Sequence, residues 1–215
     1  MANKHEADPD LLAAAFGLIG EEGWRGFSFA ALARRTGVSR VEIYRQFRSR
    51  EALLGALSRL ADEAMLAVDD AELTGLPPRD RVFELLMRRL EALAPYKEAV
   101  RSVMRSARRN PGLCFALNAM AVRSQRWMLE AAGIGAAGPR GALRAQGAAL
   151  MFARVLAVWV DDEEPGLDRT MAALDRGLAS AARWAGLLDD LCAIPACVLR
   201  GPRRRSPGRA SRARR

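Results

Sequence analysis

Apolar residues recur along most of this chain at intervals of three and four, with polar residues between them. That is the period of helices; no alternating strand pattern is present. A first helix is expected from about Asp8 to Glu22, with Pro9 in its first turn and Gly23 ending it. Leu11, Leu12, Ala15, Phe16 and Ile19 make its inner face, and Trp24, Phe27 and Phe29 are expected to close a small core. Two short helices follow, then a longer one entered at Ser49 and running to about Asp70. Thr74 to Pro78, with Gly75, Pro77 and Pro78, is a break. Beyond it the pattern predicts helices over Arg79 to Ala94, Pro95 to Arg108, Pro111 to Ala132, Pro139 to Val160 and Pro165 to Leu188. Prolines 95, 111, 139 and 165 each fit a helix N-terminus, and Gly133 to Pro139 is a loop. Residues 189–199 are ambiguous, because Pro195 interrupts an apolar stretch. The pattern divides the chain into a small unit over 8–54, a larger helical unit over 55–190 and a tail over 200–215.

The stretch SFAALARRTGVSRVEIYRQFRSREALL, residues 28–54, holds the most information. Ser28 suits an N-cap, Leu32 and Ala33 give a small apolar face, and Gly37 stands where the chain must turn sharply. Val38 is a plug, Ser39 caps a second short helix, and Ile43 and Phe47, four apart, turn that helix inward. Its outer face then carries Arg40, Val41, Glu42, Tyr44, Arg45 and Gln46. In this order of small apolar residue, Gly-Val-Ser, apolar-Tyr-x-x-Phe and basic-Ser-basic-Glu-x-Leu-Leu, the segment resembles the DNA-binding domain of the TetR family of bacterial transcriptional regulators. The matching residues are Ala33, Gly37, Val38, Ser39, Ile43, Tyr44, Phe47, Arg48, Ser49, Arg50, Glu51, Leu53 and Leu54, and the match reaches back through Leu11 to Phe29. The sequence departs from the family at Val41, where Gly, Pro or Thr is frequent, and at Gln46, where His is frequent.

Charge sharpens this picture. Residues 200–215 hold eight arginines and no acid, and so account for +8 of the net +9. Within the near-neutral remainder, Trp24 to Arg50 contains seven arginines against Glu42 alone, a local +6 on the candidate DNA reader. The arginine-rich tail is expected to be disordered, and it suits duplex DNA, by counterion release, or an acidic membrane surface. Cys114, Cys192 and Cys197 lack metal-ligand spacing, and His5 is the one histidine. No glycine-rich phosphate loop and no nucleophile with a positioned base is present, so no enzyme activity, metal or cofactor is expected. The polar, acidic start carries no signal peptide, and no apolar run is expected to cross a bilayer. A cytoplasmic protein without stable membrane insertion follows.

The resemblance implies an all-α fold, a three-helix DNA-binding domain on a larger ligand-binding and dimerisation bundle. It implies a homodimer on a double-stranded DNA operator, most often a repressor, released by a small apolar effector. The second short helix would enter the major groove with Arg40, Val41, Glu42, Tyr44, Arg45 and Gln46. Arg40 or Arg45 would pair with guanine edges. The Tyr44 ring would pack inward while its hydroxyl met a phosphate. Arg48, Arg50, Ser28 and Ser39 belong to the same surface, the arginines on phosphates. Glu42 is costly beside phosphates unless it meets a cytosine amine, Arg45 or Arg34. Dimerisation would use the last two long helices, from Pro139 to Leu188. An effector cavity would draw on Met87, Phe115, Met120, Trp127, Met128, Met151, Phe152 and Trp159, residues that serve core packing equally well.

The segment from Trp159 to Leu178 is similar, through Trp159, Asp161, Asp162, Pro165, Thr170, Leu174, Asp175 and Arg176, to the C-terminal helices of the ubiquinone-biosynthesis lipid-binding family. That family shares the fold and binds isoprenoid lipids, so a lipid-binding accessory protein is the alternative function. Physically the same stretch reads as a helix end, an acidic turn and a newly capped helix.

Overall fold

The structure, a computed structural model, describes residues 8–181. His5, Cys192, Cys197, the end of the last predicted helix, the ambiguous 189–199 stretch and the arginine tail lie outside the described residues.

Every regular element among the described residues is helical. α1 spans Pro9–Gly26 and α2 Phe29–Thr36; α3 spans Arg40–Gln46 and α4 Arg50–Leu66. α1 is broken where the sequence places a stop: Gly23 adopts φ 79°, and one further turn follows before Phe27. Each of the next three starts on its predicted serine. Ser28 Oγ accepts from the Ala31 amide at 3.1 Å, Ser39 Oγ from Glu42 at 3.2 Å and Ser49 Oγ from Ala52 at 3.0 Å. Gly37 closes α2 at φ 72°, a left-handed conformation that a side chain would strain.

α4 ends at Leu66, short of the expected Asp70. Asp69 has a stronger local option there: its carboxylate accepts from the Ala71 amide at 3.0 Å and starts a separate short helix, α5, Asp70–Leu73. α6 (Pro78–Leu93) passes through a 3-10 turn at Ala94–Tyr96 into α7 (Lys97–Ala107). α8 (Pro111–Ala131) and α9 (Gly138–Trp159) are the long helices of the bundle. A last helix, α10, covers 168–181 of the described residues, so Pro165 lies in the turn before it and not in its first turn. The reason is a remote cap: Asp162 Oδ2 accepts from both the amide and the hydroxyl of Thr170, at 2.8 and 2.6 Å.

One continuous core joins the two units. Leu11, Phe16, Ile19, Leu32, Ile43, Phe47 and Leu53 fill the small domain; Met65, Leu85, Leu86, Leu90, Met128, Phe152 and Trp159 fill the larger one. Burial of each such large side chain contributes about 1.5–3 kcal/mol. α1 packs along α7, with Phe16 edge-on to Tyr96 at 5.6 Å and the Trp24 amide donating to Ser102 Oγ at 2.8 Å. α9 also has the length and composition of a membrane span, with mean hydropathy 1.2, against the expectation that no run would. Its Phe152, Val155 and Trp159 are buried within the bundle, and a core helix satisfies the same criterion.

Candidate nucleic-acid interface

The residues of α3 divide cleanly by face. Ile43 and the following Phe47 are buried in the core, with α3 packed on α2. Arg40, Val41, Tyr44 and Arg45 face outward, with Val41 60% and Tyr44 63% exposed. The Tyr44 ring therefore does not pack inward as expected; Ile43 and Phe47 already occupy the inner face. Val41 and Tyr44 thus place two large side chains on the outer face of a seven-residue helix.

Glu42 is paired within the helix: Arg45 Nη1 donates to Glu42 Oε2 at 3.2 Å. Gln46 is partly committed elsewhere, since its Oε1 accepts from the Asp8 amide at 3.0 Å and ties α3 to the start of α1. Ser28 and Ser39 use their oxygens as caps, which leaves each hydroxyl proton available to an outside acceptor. Arg48 is exposed at the turn into α4.

Arg50 differs from its neighbours. Its guanidinium stacks over Trp24, 4.2 Å from the ring centroid, and lies 5.8 Å from that of Phe27. Nε and Nη2 are buried without a hydrogen-bond partner, and burial lowers its pKa from the usual arginine value. It faces a cleft between the small domain and the bundle, not open solvent. Arg25, Arg105, Arg108 and Arg109 line the same cleft. The run RSARRN, 105–110, was the available sequence signal for them; its pairing with Trp24 and Arg50 comes only from the docking of α1 on α7.

The eight effector-cavity candidates do not converge. Met128, Phe152 and Trp159 are buried core, while Met87, Met120 and Met151 pack partly buried against it. Phe115 and Trp127 are on the surface of α8, 80% and 56% exposed. None of the eight lines the interdomain cleft. Two polar features inside the bundle were not legible in sequence. Arg89 of α6 is buried and hydrogen-bonded to Asp62 of α4 and Ser124 of α8, and lies over Phe152 at 5.4 Å. Burial pushes Arg89 down to about 10, which leaves it charged at neutral pH beside Asp62. Gln125 is fully buried with neither side-chain polar atom partnered.

The segment that resembles the lipid-binding family has a structural account. Trp159 and Leu174 are core, Asp162 and Thr170 form the α10 cap, and Asp175 pairs with Arg79. Asp161 lies 3.4 Å from Arg101.

Residues 11–57 match the family described as bacterial regulatory proteins, tetR family. No curated protein matches the chain. Among solved structures, a TetR transcriptional regulator from Nitrosomonas europaea ATCC 19718 is similar at 25% identity and a TM-score of 0.65. That alignment covers 81% of this chain and 99% of the other. A TetR transcriptional regulator from Rhodococcus sp. RHA1 shares the fold at 18% identity and a TM-score of 0.53, over 80% of this chain and 92% of its own. These similarities give the lipid-binding alternative no support. By its motif, its capped and turned helices and these similarities, the chain's amino-terminal helix-turn-helix belongs to the TetR family of bacterial regulatory proteins, and its described helices carry that family's fold.

Proposed function

We propose that this protein is a sequence-specific DNA-binding transcriptional regulator that acts as a homodimer, a repressor released by a small apolar effector. The observation that carries the reading is α3, anchored by Ile43 and Phe47 and capped by Ser39. From that base it presents Arg40, Val41, Tyr44 and Arg45 to solvent. A helix of this kind supplies guanidinium forks for guanine edges, an apolar contact at Val41 and a phenol for a phosphate. Arg48 and the capping serines extend the phosphate contacts.

The dimer reading rests on α9. Leu143 and Leu150 are each about half exposed, with exposed Gly147 between them on the same helical face. Such a stripe suits a helix of a second copy. The effector reading rests on the family and on the buried, unpartnered amide of Gln125, which offers a donor and an acceptor to the polar end of an apolar ligand. The reading places the protein in the cytoplasm with the DNA it regulates and assigns it no catalysis.

The test is substitution on the reading face. Arg40→Ala and Tyr44→Ala, both exposed, should each weaken binding to a selected operator about tenfold or more while the unfolding temperature stays within a few degrees. Unchanged operator binding in both variants would remove α3 from the groove.

A further inference from the structure

We infer that the cleft between the helix-turn-helix and the regulatory bundle is a binding site for phosphate groups, held by Arg25 and Arg50 from one side and Arg105, Arg108 and Arg109 from the other. The cleft has a volume of about 760 Å³, within the range of small-molecule sites. Among the described residues none of these five arginines forms an ion pair. Several arginines elsewhere are paired, Arg35 with Glu21, Arg79 with Asp175, Arg88 with Glu72 and Glu84, Arg89 with Asp62 and Arg101 with Glu98, while others, such as Arg34, Arg40 and Arg48, form no ion pair among the described residues; the cleft is set apart by the convergence of five arginines on one space. One acid, Glu22, lines the cleft against five arginines, and Glu51 lines the smaller pocket beside it, so positive charge is in excess.

The Arg50 guanidinium is stacked on Trp24, with Nε and Nη2 buried and without a hydrogen-bond partner, and the residue lines the cleft. The amino end of α8, at Asn110 and Pro111, opens into the same space and adds the positive end of a helix of 21 residues. Arginine forks match phosphate oxygens by shape as well as charge. Because the walls come from the end of α1, the start of α4, the end of α7 and the start of α8, an anion here ties the reading domain to the bundle. Any effect of its binding on DNA binding is then reciprocal.

Two sources of phosphate fit: a free phosphorylated small molecule, or the backbone of DNA flanking the operator. Only the second rests on the proposed DNA-binding function. The experiment uses the full chain and the double variant Arg105→Gln/Arg109→Gln, in which two exposed residues change and the rest of the chain, tail included, is kept. Inorganic pyrophosphate is titrated calorimetrically at constant ionic strength, and binding to one duplex is followed as salt is raised. Saturable pyrophosphate binding that weakens about tenfold or more in the variant identifies a small-molecule site. Unchanged pyrophosphate behaviour with a salt slope reduced by about 2 identifies flanking DNA phosphates, since each lost contact removes about 0.9. A variant equal to the wild type in both measurements overturns the site. The pyrophosphate arm uses no DNA, so its result stands apart from any failure of the regulator reading.

Discussion

Glu42 shows how single residues set the character of the reading face. A carboxylate beside phosphates opposes binding, and here it also holds the Arg45 guanidinium at 3.2 Å. Glu42→Gln removes a repelling charge and frees Arg45, so affinity for any duplex should rise a few-fold at low salt and specificity should fall. Anisotropy titrations on matched and scrambled duplexes measure both. Asp162 is the other residue with a clear prediction. Its hydrogen bonds from Thr170 hold its carboxyl below the usual value of 3.8. A lowered carboxyl pKa stabilises the fold above the unfolded value and loses that contribution as pH falls through the folded one. Asp162→Ala should therefore cost about 1 kcal/mol at neutral pH, the usual worth of an N-cap. The gap to wild type in denaturant unfolding should close below about pH 4. What the sequence made legible at this scale was local. Ser28, Ser39, Ser49 and Gly37 act within four residues of themselves, and the Glu42–Arg45 pair spans three. The bond from the Asp8 amide to Gln46 and the stacking of Arg50 on Trp24 join residues far apart in sequence, and no local pattern encodes them.

Some elements followed their punctuation: α8 starts at Pro111, as its proline indicates, and α6 starts at Pro78, the last residue of the expected break. Pro95 stands instead in the 3-10 turn, and α7 begins at Lys97. The pattern misled where two signals competed. Asp69 fits the interior of a long helix by period, yet as a cap it splits α4 from α5. Pro165 fits a first turn, yet Asp162 reaches past it to cap α10. The strongest polar link between elements is the buried set of Asp62, Arg89 and Ser124 across α4, α6 and α8, with Ser124 donating to Asp62 at 2.6 Å. Removing one partner leaves a buried charge uncompensated. Asp62→Ala should lower stability by about 3 kcal/mol, readable in urea unfolding. Because α4 runs from the reading domain into this node, the same variant should also change DNA affinity.

For the molecule as a whole, the all-helical fold and the reading domain were legible because they depend on period and on caps. A ligand cavity was not legible, because methionines and aromatics serve core and pocket alike: Trp159 is core, and Trp127 lies outside. The exposed face of α9 carries the whole-molecule prediction. Leu143→Arg with Leu150→Arg should turn a dimer into a monomer in sedimentation velocity, with little change in helix content. Operator affinity should fall with it, since two reading helices must bind one duplex together.

The central claim, sequence-specific reading of DNA, is tested most directly by selecting duplexes from a random pool with a chain ending at Leu199. That truncation removes the eight tail arginines that would hold any DNA. The preferred duplex and a scrambled one are then compared by anisotropy across a salt series. A dimeric, sequence-specific regulator should select a two-fold symmetric site and bind it about a thousand-fold more tightly than the scrambled duplex. Equal binding to both, vanishing together as salt rises, would contradict the claim.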